Sequence, residues 1–258
     1  MNVSVATHDG VRTLTIDREA QRNALDRATL EELETALGEA ERDATVRVIV
    51  LRGAGDRAFC AGADLKEVLG HESIQESRRH FDGVARVIGA MQRCNQPVIA
   101  RVPGFALAGG CGLAVAADFT IASEDAVFGL PEISLGLLPL MVSVPILRAT
   151  GSRKVLLDLV LTGRRVAADE ALKLGLVTRV VPRESLDKEI EALCTTLASH
   201  SPETLRAGKE AIYTMAEMES GAAMRYLRES IVLTSRSEDA QEGIRAFFEK
   251  REPKWTGR

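Results

Sequence analysis

Residues Ala108-Gly109-Gly110-Cys111-Gly112 form a turn of small side chains, and a similar turn reads Cys60-Ala61-Gly62-Ala63-Asp64. Each turn follows an apolar run typical of a strand and precedes a stretch typical of a helix start. Small side chains let backbone N–H groups approach a ligand closely, and a helix N-terminus adds partial positive charge. Two such N–H groups converging on one oxygen form an oxyanion hole. The turns therefore predict chemistry on a carbonyl compound.

A single carboxylate, Glu132, follows the second turn within Phe128-Gly129-Leu130-Pro131-Glu132. A carboxylate beside an oxyanion hole can move a proton to or from the carbon next to the carbonyl. Burial in an apolar pocket would raise its pKa into a range useful for a general base. The alternative is a salt-bridged structural residue. We interpret Glu132 as the catalytic base.

The segments around these turns predict an α/β fold. Asp9-Gly10 is typical of a hairpin turn, and Asp26 is typical of a helix N-cap. Residues 46–51 and 97–102 are short apolar runs typical of buried strands. Strands that alternate with helices at short spacing favour an α/β core.

From Pro139 onward the pattern predicts almost only helices, and Ser201-Pro202 marks a clear helix start. The helices after this point carry more apolar surface than a terminal appendage needs. Packing on the core or on a partner subunit would bury it. The apolar residues concerned are Leu205, Ile212, Met215, Met224, Leu227, Ile231, Phe247 and Phe248.

Composition excludes several classes of function. The 258 residues carry a formal net charge of −4, with charges of both signs interspersed, which argues against a nucleic-acid surface or a basic membrane-binding face. Neither GxGxxG nor GxxxxGK[ST] occurs, so those modes of nucleotide binding are disfavoured. The N-terminal residues lack a signal-peptide pattern, and we expect a cytoplasmic protein with reduced, buried cysteines.

The sequence predicts no metal site. The four cysteines lack CxxC spacing, and the four histidines lack the spacing of metal ligands. His71 and His80 are interpreted as solvated helix residues, with lining of a pocket as the alternative.

Several segments, taken together, resemble the enoyl-CoA hydratase/isomerase (crotonase) family, and the similarity runs nearly from end to end of the chain. They are residues 57–67, 96–104, 108–112, 131–133, 161–164 and 241–251. The resemblance implies a ββα-spiral core, here residues 1–197, and a helical C-terminal trimerisation region, residues 198–258. It also implies an acyl-CoA thioester as substrate and a homotrimer or homohexamer. No cofactor is expected, because coenzyme A is part of the substrate.

The resemblance also assigns roles to individual residues. The oxyanion-hole N–H groups belong to Ala63 and Gly109. A larger set is expected to contact the substrate, with Lys66 near a phosphate and the C-terminal pair reaching the coenzyme A of an adjacent subunit. The set is Ala61, Gly62, Asp64, Leu65, Lys66, Gly110, Leu140, Met141, Phe247 and Lys250. Asp64 is also predicted to cap the helix that follows it.

One departure from the family pattern bears on the reaction. Hydratases of this family carry two glutamates, whereas this chain has Gly112 at the first position and only Glu132 at the second. The following loop, residues 138–145, is apolar. A single base can move one proton from C2 to C4 of a 3-enoyl thioester without activating water. The pattern therefore favours Δ3,Δ2-enoyl-CoA isomerisation.

Other functions remain open at this stage. A 2-enoyl-CoA hydratase could use Glu132 and a water held by backbone groups, and a decarboxylase or thioester hydrolase is conceivable. A non-catalytic acyl-CoA-binding protein is a further alternative. Asp118 and Glu124 are candidate second acids, although a hydrogen bond at a strand start and a surface turn explain them better.

Overall fold

The computed structural model describes residues 1–258, and its ten strands form two sheets. The six-stranded sheet has the order β1-β2-β3-β5-β7-β10 and the four-stranded sheet the order β4-β6-β8-β9. The strands are β1 Val3–His8, β2 Val11–Ile16, β3 Val48–Gly53, β4 Ala58–Cys60, β5 Val98–Val102, β6 Phe105–Leu107, β7 Phe119–Ser123, β8 Val127–Gly129, β9 Arg165–Ala167 and β10 Arg179–Val181.

Eleven α-helices and three short 3₁₀ helices connect and cover the sheets. The α-helices are α1 Arg27–Arg42, α2 Leu65–Leu69, α3 Ile74–Arg93, α4 Gly109–Ala116, α5 Leu140–Thr150, α6 Arg153–Thr162, α7 Ala168–Lys173, α8 Leu186–Ala198, α9 Pro202–Met215, α10 Ser220–Thr234 and α11 Glu238–Glu249. The 3₁₀ helices are Glu19–Gln21, Pro131–Leu135 and Arg183–Ser185. None of the helices has the length and apolar character that a membrane crossing requires.

The chain adds one strand to each sheet in turn and then a helix, which is the predicted ββα spiral. The first round is β3, β4 and α2, and the second is β5, β6 and α4. Strands β4, β6 and β8 run parallel, so the turns that follow them meet at one edge of the smaller sheet. This edge holds both small-residue turns and the Pro131–Leu135 helix.

Local sequence explains most of these elements. Asp26 accepts a hydrogen bond from the Thr29 N–H at the start of α1, and Ser201 does the same for the Thr204 N–H at α9. The central strands β3 and β5 are almost wholly buried, because helices cover both faces of a parallel sheet. All four cysteines are buried and unpaired, as expected.

One feature differs from the sequence-based expectation of almost only helices after Pro139. The segment after Pro139 is not entirely helical, since it contains β9 and β10. Each has three residues and exists because it pairs with a strand distant in the chain, β8 and β7 respectively. Pairing of this kind leaves no local periodicity to detect.

The C-terminal helices keep apolar side chains exposed on this chain. Met224, Phe247 and Phe248 are each more than two-thirds exposed, and Ile212 on α9 and Ile231 on α10 are each more than half exposed. The core of this chain therefore does not bury all the apolar side chains of the C-terminal helices. The division at residue 197 and the oligomeric role of the C-terminal region stay predictions.

Candidate active site

The two small-residue turns pack directly against each other. A Cβ atom added to Gly62 would lie 2.5 Å from the Ala108 Cβ and 3.1 Å from the Gly109 nitrogen. Gly62 also has a backbone φ of +98°, a value that residues other than glycine rarely adopt. A Cβ added to Gly109 would lie 3.8 Å from the Ala63 nitrogen. The nitrogen atoms of Ala63 and Gly109 therefore face the same small volume.

The backbone around Ala63 leaves its N–H group free. Leu25 binds both neighbours of Ala63, because its N–H donates to the Gly62 oxygen at 2.8 Å and its oxygen accepts from the Asp64 N–H at 2.8 Å. The Ala63 N–H itself has no acceptor in the chain. The first N–H groups of a helix likewise lack an intrahelical partner, and Gly109 begins α4.

Ala108, which precedes Gly109, orients the Gly109 N–H group through an unusual backbone conformation. Its φ of 54° and ψ of −129° lie in a region that residues with a side chain rarely occupy. Its N–H donates to the Gly129 oxygen at 2.8 Å, which fixes the turn to β8. Strain of this kind persists only where the surroundings enforce it, and it is common at functional sites.

A cavity of about 390 Å³ opens beside these N–H groups. Thirteen of its 17 lining residues are hydrophobic, and Glu132 is the only lining residue with an ionisable side chain. The lining residues are Ala61, Ala63, Leu65, Val68, Phe81, Val84, Ala108, Gly109, Pro131, Glu132, Leu135, Leu137, Leu138, Pro139, Leu140, Met141 and Val142. The shape suits a mostly apolar ligand with one polar group to be recognised.

The Glu132 carboxyl lies in the cavity wall and is largely buried. The Pro131–Leu135 helix positions it at the cavity, and its Oε2 atom is buried without a hydrogen-bond partner. Burial raises the pKa of the Glu132 carboxyl to about 7, and its own backbone N–H opposes this only in part. A carboxyl with a pKa near neutrality both accepts and returns a proton readily.

The position of the missing second glutamate is filled. A Cβ atom added to Gly112 would lie 2.1 Å from Val142 Cγ1 and 2.2 Å from Val142 Cβ. Val142 is buried and lies on α5, in the apolar segment that closes the cavity. The space beside Gly112 therefore holds a valine side chain and admits no carboxylate.

The structure brings together only some of the predicted substrate contacts. Ala61, Leu65, Leu140 and Met141 line the cavity with Glu132. Gly62 and Gly110 are buried behind it. These two residues shape the site by letting the turns approach, since a Cβ on Gly110 would lie 2.2 Å from the Cys60 oxygen.

The remaining predicted contacts lie outside the cavity of this chain. Asp64 caps α2 through the Lys66 N–H and pairs with Arg18 at 2.9 Å. This pairing holds the pKa of the Asp64 carboxyl below its usual range, against the opposing effect of burial. Lys66 is exposed on α2, and Phe247 and Lys250 are exposed at the end of α11.

Sequence reasoning missed part of the cavity wall. Val68 on α2 and the residues Phe81 and Val84 on α3 all line the cavity. Phe81 and Val84 lie on the apolar stripe of α3, which is visible in the sequence. The tertiary fold is needed to see that the residues of this stripe have different surroundings. Val84 is buried, whereas Phe81 is 39% exposed at the cavity.

The interpretation of His71 and His80 as solvated residues is wrong. His80 is fully buried, and the His71 side chain is 9% exposed. His80 faces inward because α3 packs against α1, and one face of the helix is covered there. The two imidazole rings lie 5.6 Å apart.

Asp118 is not a second catalytic acid. It accepts a hydrogen bond from the Val98 N–H at 2.7 Å, which is the expected bond at a strand start. It also pairs with Lys209 at 2.7 Å and accepts from the Tyr213 hydroxyl at 2.9 Å. These groups line a separate cavity of about 550 Å³ and satisfy one another. Glu124 is exposed at a turn.

Comparisons of the sequence and of the structure with known proteins point to the same family. A family profile described as Enoyl-CoA hydratase/isomerase matches residues 6–258. The chain is 38% identical to a probable enoyl-CoA hydratase of Rhizobium meliloti, with 98% of this chain and 97% of that protein covered. It is 35% identical to the 2,3-dehydroadipyl-CoA hydratase of Escherichia coli, over 98% of each chain. The crystal structure of an enoyl-CoA hydratase from Mycobacterium smegmatis superposes with a TM-score of 0.95 at 37% identity, covering 99% of each chain.

Proposed function

The chain belongs to the enoyl-CoA hydratase/isomerase family of acyl-CoA enzymes, and on that premise we propose that it catalyses Δ3,Δ2-enoyl-CoA isomerisation. The substrate is a 3-enoyl thioester of coenzyme A, and the product is the conjugated 2-enoyl thioester. Glu132 is the only acid–base side chain at the cavity, and the reaction needs only one.

The reaction begins when the thioester oxygen accepts hydrogen bonds from the Ala63 and Gly109 N–H groups. Glu132 removes a proton from C2, and the electron pair of the broken C–H bond is delocalised into a dienolate whose negative charge rests largely on that oxygen. Each oxyanion-hole donor is worth roughly 3–4 kcal/mol in comparable sites. Protonated Glu132 then returns the proton to C4, and the double bond lies between C2 and C3.

The packing of Val142 against Gly112 is the main observation that supports the proposal. Family hydratases use two glutamates, and here Val142 occupies the space that a side chain at position 112 needs. The wall around it is apolar, so it offers no side chain to hold a water molecule at C3. Excluding water favours return of the proton to carbon over hydration.

Hydration of a 2-enoyl thioester is the second candidate. It is favoured by the names of relatives, among them the two hydratases described above. Glu132 would then activate the water alone. The absence of a glutamate at position 112 is the one observation that favours the non-catalytic alternative. Against it, the relatives are named as enzymes, and Glu132, Ala63 and Gly109 line one cavity.

Assembly and location are further parts of the proposal. A homotrimer or homohexamer would cover the exposed apolar side chains of α9 to α11. Phe247 and Lys250 would then reach the coenzyme A bound to a neighbouring subunit. A cytoplasmic location and the absence of a separate cofactor stay predictions.

The test supplies a 3-enoyl-CoA and a 2-enoyl-CoA in separate reactions and follows the ultraviolet absorbance of the conjugated thioester. Isomerisation predicts a rising signal from the 3-enoyl substrate and little change with the 2-enoyl substrate. A falling signal from the 2-enoyl substrate, with none from the 3-enoyl substrate, would replace isomerisation with hydration. The Glu132→Gln variant is the matched control, because it keeps the shape of the side chain and removes the base.

A further inference from the structure

Three side chains with metal-binding atoms meet behind the wall of the active-site cavity. Glu67 lies on α2, His71 follows that helix, and His80 lies on α3. The Glu67 Oε1 atom is 3.4 Å from His80 Nδ1 and 3.9 Å from His71 Nε2. One ligand atom from each residue lies within 4.8 Å of the other two.

These distances are close to those of a tetrahedral metal site. Zn–N and Zn–O bonds of about 2.0–2.2 Å at tetrahedral angles place neighbouring ligand atoms about 3.3–3.5 Å apart. Glu67 and His80 already meet this spacing. His71 Nε2 lies 3.9 Å from Glu67 Oε1, and the ligand atoms of His71 and His80 lie within 4.8 Å of each other, so His71 would have to move towards both by at most about 1.5 Å.

The surroundings orient two of the three ligands. His71 Nδ1 lies 3.2 Å from the Ser77 hydroxyl oxygen, which leaves Nε2 directed at Glu67. The Arg27 backbone N–H donates to both carboxylate oxygens of Glu67, at 3.0 and 3.2 Å. Metal-ligating histidines and carboxylates are held by outer hydrogen bonds of this kind.

His80 provides an independent observation. The residue is fully buried, and its Nε2 atom has no hydrogen-bond partner. Its Nδ1 contact with Glu67, at 3.4 Å, is longer than an ordinary N–H···O bond. A buried imidazole with so little satisfaction is costly. A cation bound at Nδ1 would replace this long contact with a coordinate bond, and Nε2 would then carry the proton of the ring.

We propose that Glu67, His71 and His80 bind one divalent transition-metal ion of the zinc type. Two histidines and a glutamate are a ligand set that Zn²⁺ accepts, with water at the fourth position. Glu67 is the most exposed of the three side chains, at 29%, so the open position faces solvent on its side. The ion takes no part in the reaction at Glu132.

The site would join two parts of the cavity wall. Leu65 and Val68 on α2 line the cavity, as do Phe81 and Val84 on α3. The His80 ring also packs edge-on against Phe81, with centroids 5.3 Å apart. A metal ion between α2 and α3 would therefore fix the separation of these walls.

The test measures metal binding by the full-length protein after treatment with a chelator. Calorimetry with Zn²⁺ gives stoichiometry and affinity, and Co²⁺ reports coordination number through its visible spectrum. We expect one Zn²⁺ per chain, a four-coordinate Co²⁺ spectrum and a higher melting temperature with Zn²⁺. His71→Gln and Glu67→Gln should each weaken binding by at least ~10-fold, because even the loss of a hydrogen bond to a metal ligand typically weakens metal affinity by that factor.

The control is the double variant His8→Gln/His200→Gln, which removes the two histidines outside the cluster. His8 is exposed and pairs with Asp9 at 3.0 Å, so it represents adventitious surface binding. This control should bind Zn²⁺ as the unaltered protein does. The proposal is overturned if the unaltered protein shows no saturable binding, or if His71→Gln and Glu67→Gln bind with unchanged affinity. Neither result depends on which enoyl-CoA reaction the protein catalyses.

Discussion

The packing of Val142 against Gly112 predicts an unusual response to a glycine-to-alanine change. Gly112 lies inside α4, where alanine normally stabilises a helix by about 1 kcal/mol relative to glycine. In this structure the added Cβ would meet Val142 Cγ1 at 2.1 Å and Val142 Cβ at 2.2 Å. Overpacking of a closed core costs typically about 1–3 kcal/mol. Because the clash involves the branched part of a buried side chain, the cost exceeds the gain, and Gly112→Ala should lower the free energy of unfolding.

Gly208 supplies the matched control. It lies inside α9, and a Cβ added there would meet nothing within 4 Å. Gly208→Ala should therefore raise the free energy of unfolding by about 1 kcal/mol. Urea unfolding, followed by circular dichroism, measures both variants against the unaltered protein.

A second variant shows whether Val142 is the cause. Val142→Gly removes the clashing atoms and leaves the Val142 Cα as the nearest atom, at 3.2 Å. Val142→Gly alone should destabilise the protein, because it leaves a void and places glycine in α5. In the double variant, Gly112→Ala should cost less than it does alone, so the two changes are coupled. If Gly112→Ala stabilises the protein as much as Gly208→Ala does, our account of the filled space is wrong.

Four further predictions concern Glu132 and the two small-residue turns. Glu132→Gln should lower the isomerisation rate by about 10²–10⁴-fold and leave acyl-CoA affinity within a few-fold. Steady-state kinetics measures the rate, and calorimetry measures the affinity. A fully active variant would remove Glu132 from the mechanism. The rate should rise with pH through about 7, because only ionised Glu132 accepts the C2 proton; a rate that falls over this range would contradict the assignment. The raised pKa also predicts that ionised Glu132 opposes folding. Because the side chain loses its proton near pH 4.5 in the unfolded chain and near pH 7 in the folded one, the free energy of unfolding should fall as the pH rises through this window. Thermal unfolding at a series of pH values should show this fall, and a smaller one in Glu132→Gln. Gly62→Ala should separate the two turns, because its Cβ would lie 2.5 Å from that of Ala108; we expect a fall in kcat, and unchanged kcat would show that the position of the donors is not critical.

The sequence alone predicts a large part of this architecture. The caps at Asp26 and Ser201, the hairpin at Asp9-Gly10 and the placement of both small-residue turns are confirmed. These features depend on residues close together in the chain, and their side chains determine the local backbone. The prediction of a carboxylate beside the turns also holds, because Glu132 lines the same cavity as Ala63 and Gly109.

The features that the sequence does not reveal depend on contacts between distant residues. Nothing near Gly112 indicates that Val142, on a different helix, fills the space beside it. The burial of His80 depends on the packing of α3 against α1. The bond pair that Leu25 makes with the neighbours of Ala63 links segments 38 positions apart in the chain. Each of these needs the tertiary fold before it can be seen.

The most direct test of the central claim follows the proton itself. A 3-enoyl-CoA labelled with deuterium at C2 is converted in ordinary water, and mass spectrometry and NMR locate the label in the product. A single base in an apolar cavity predicts a 2-enoyl-CoA with no added oxygen and a measurable fraction of the deuterium at C4. A product that has gained water, or complete loss of the transferred deuterium to solvent, would contradict the account.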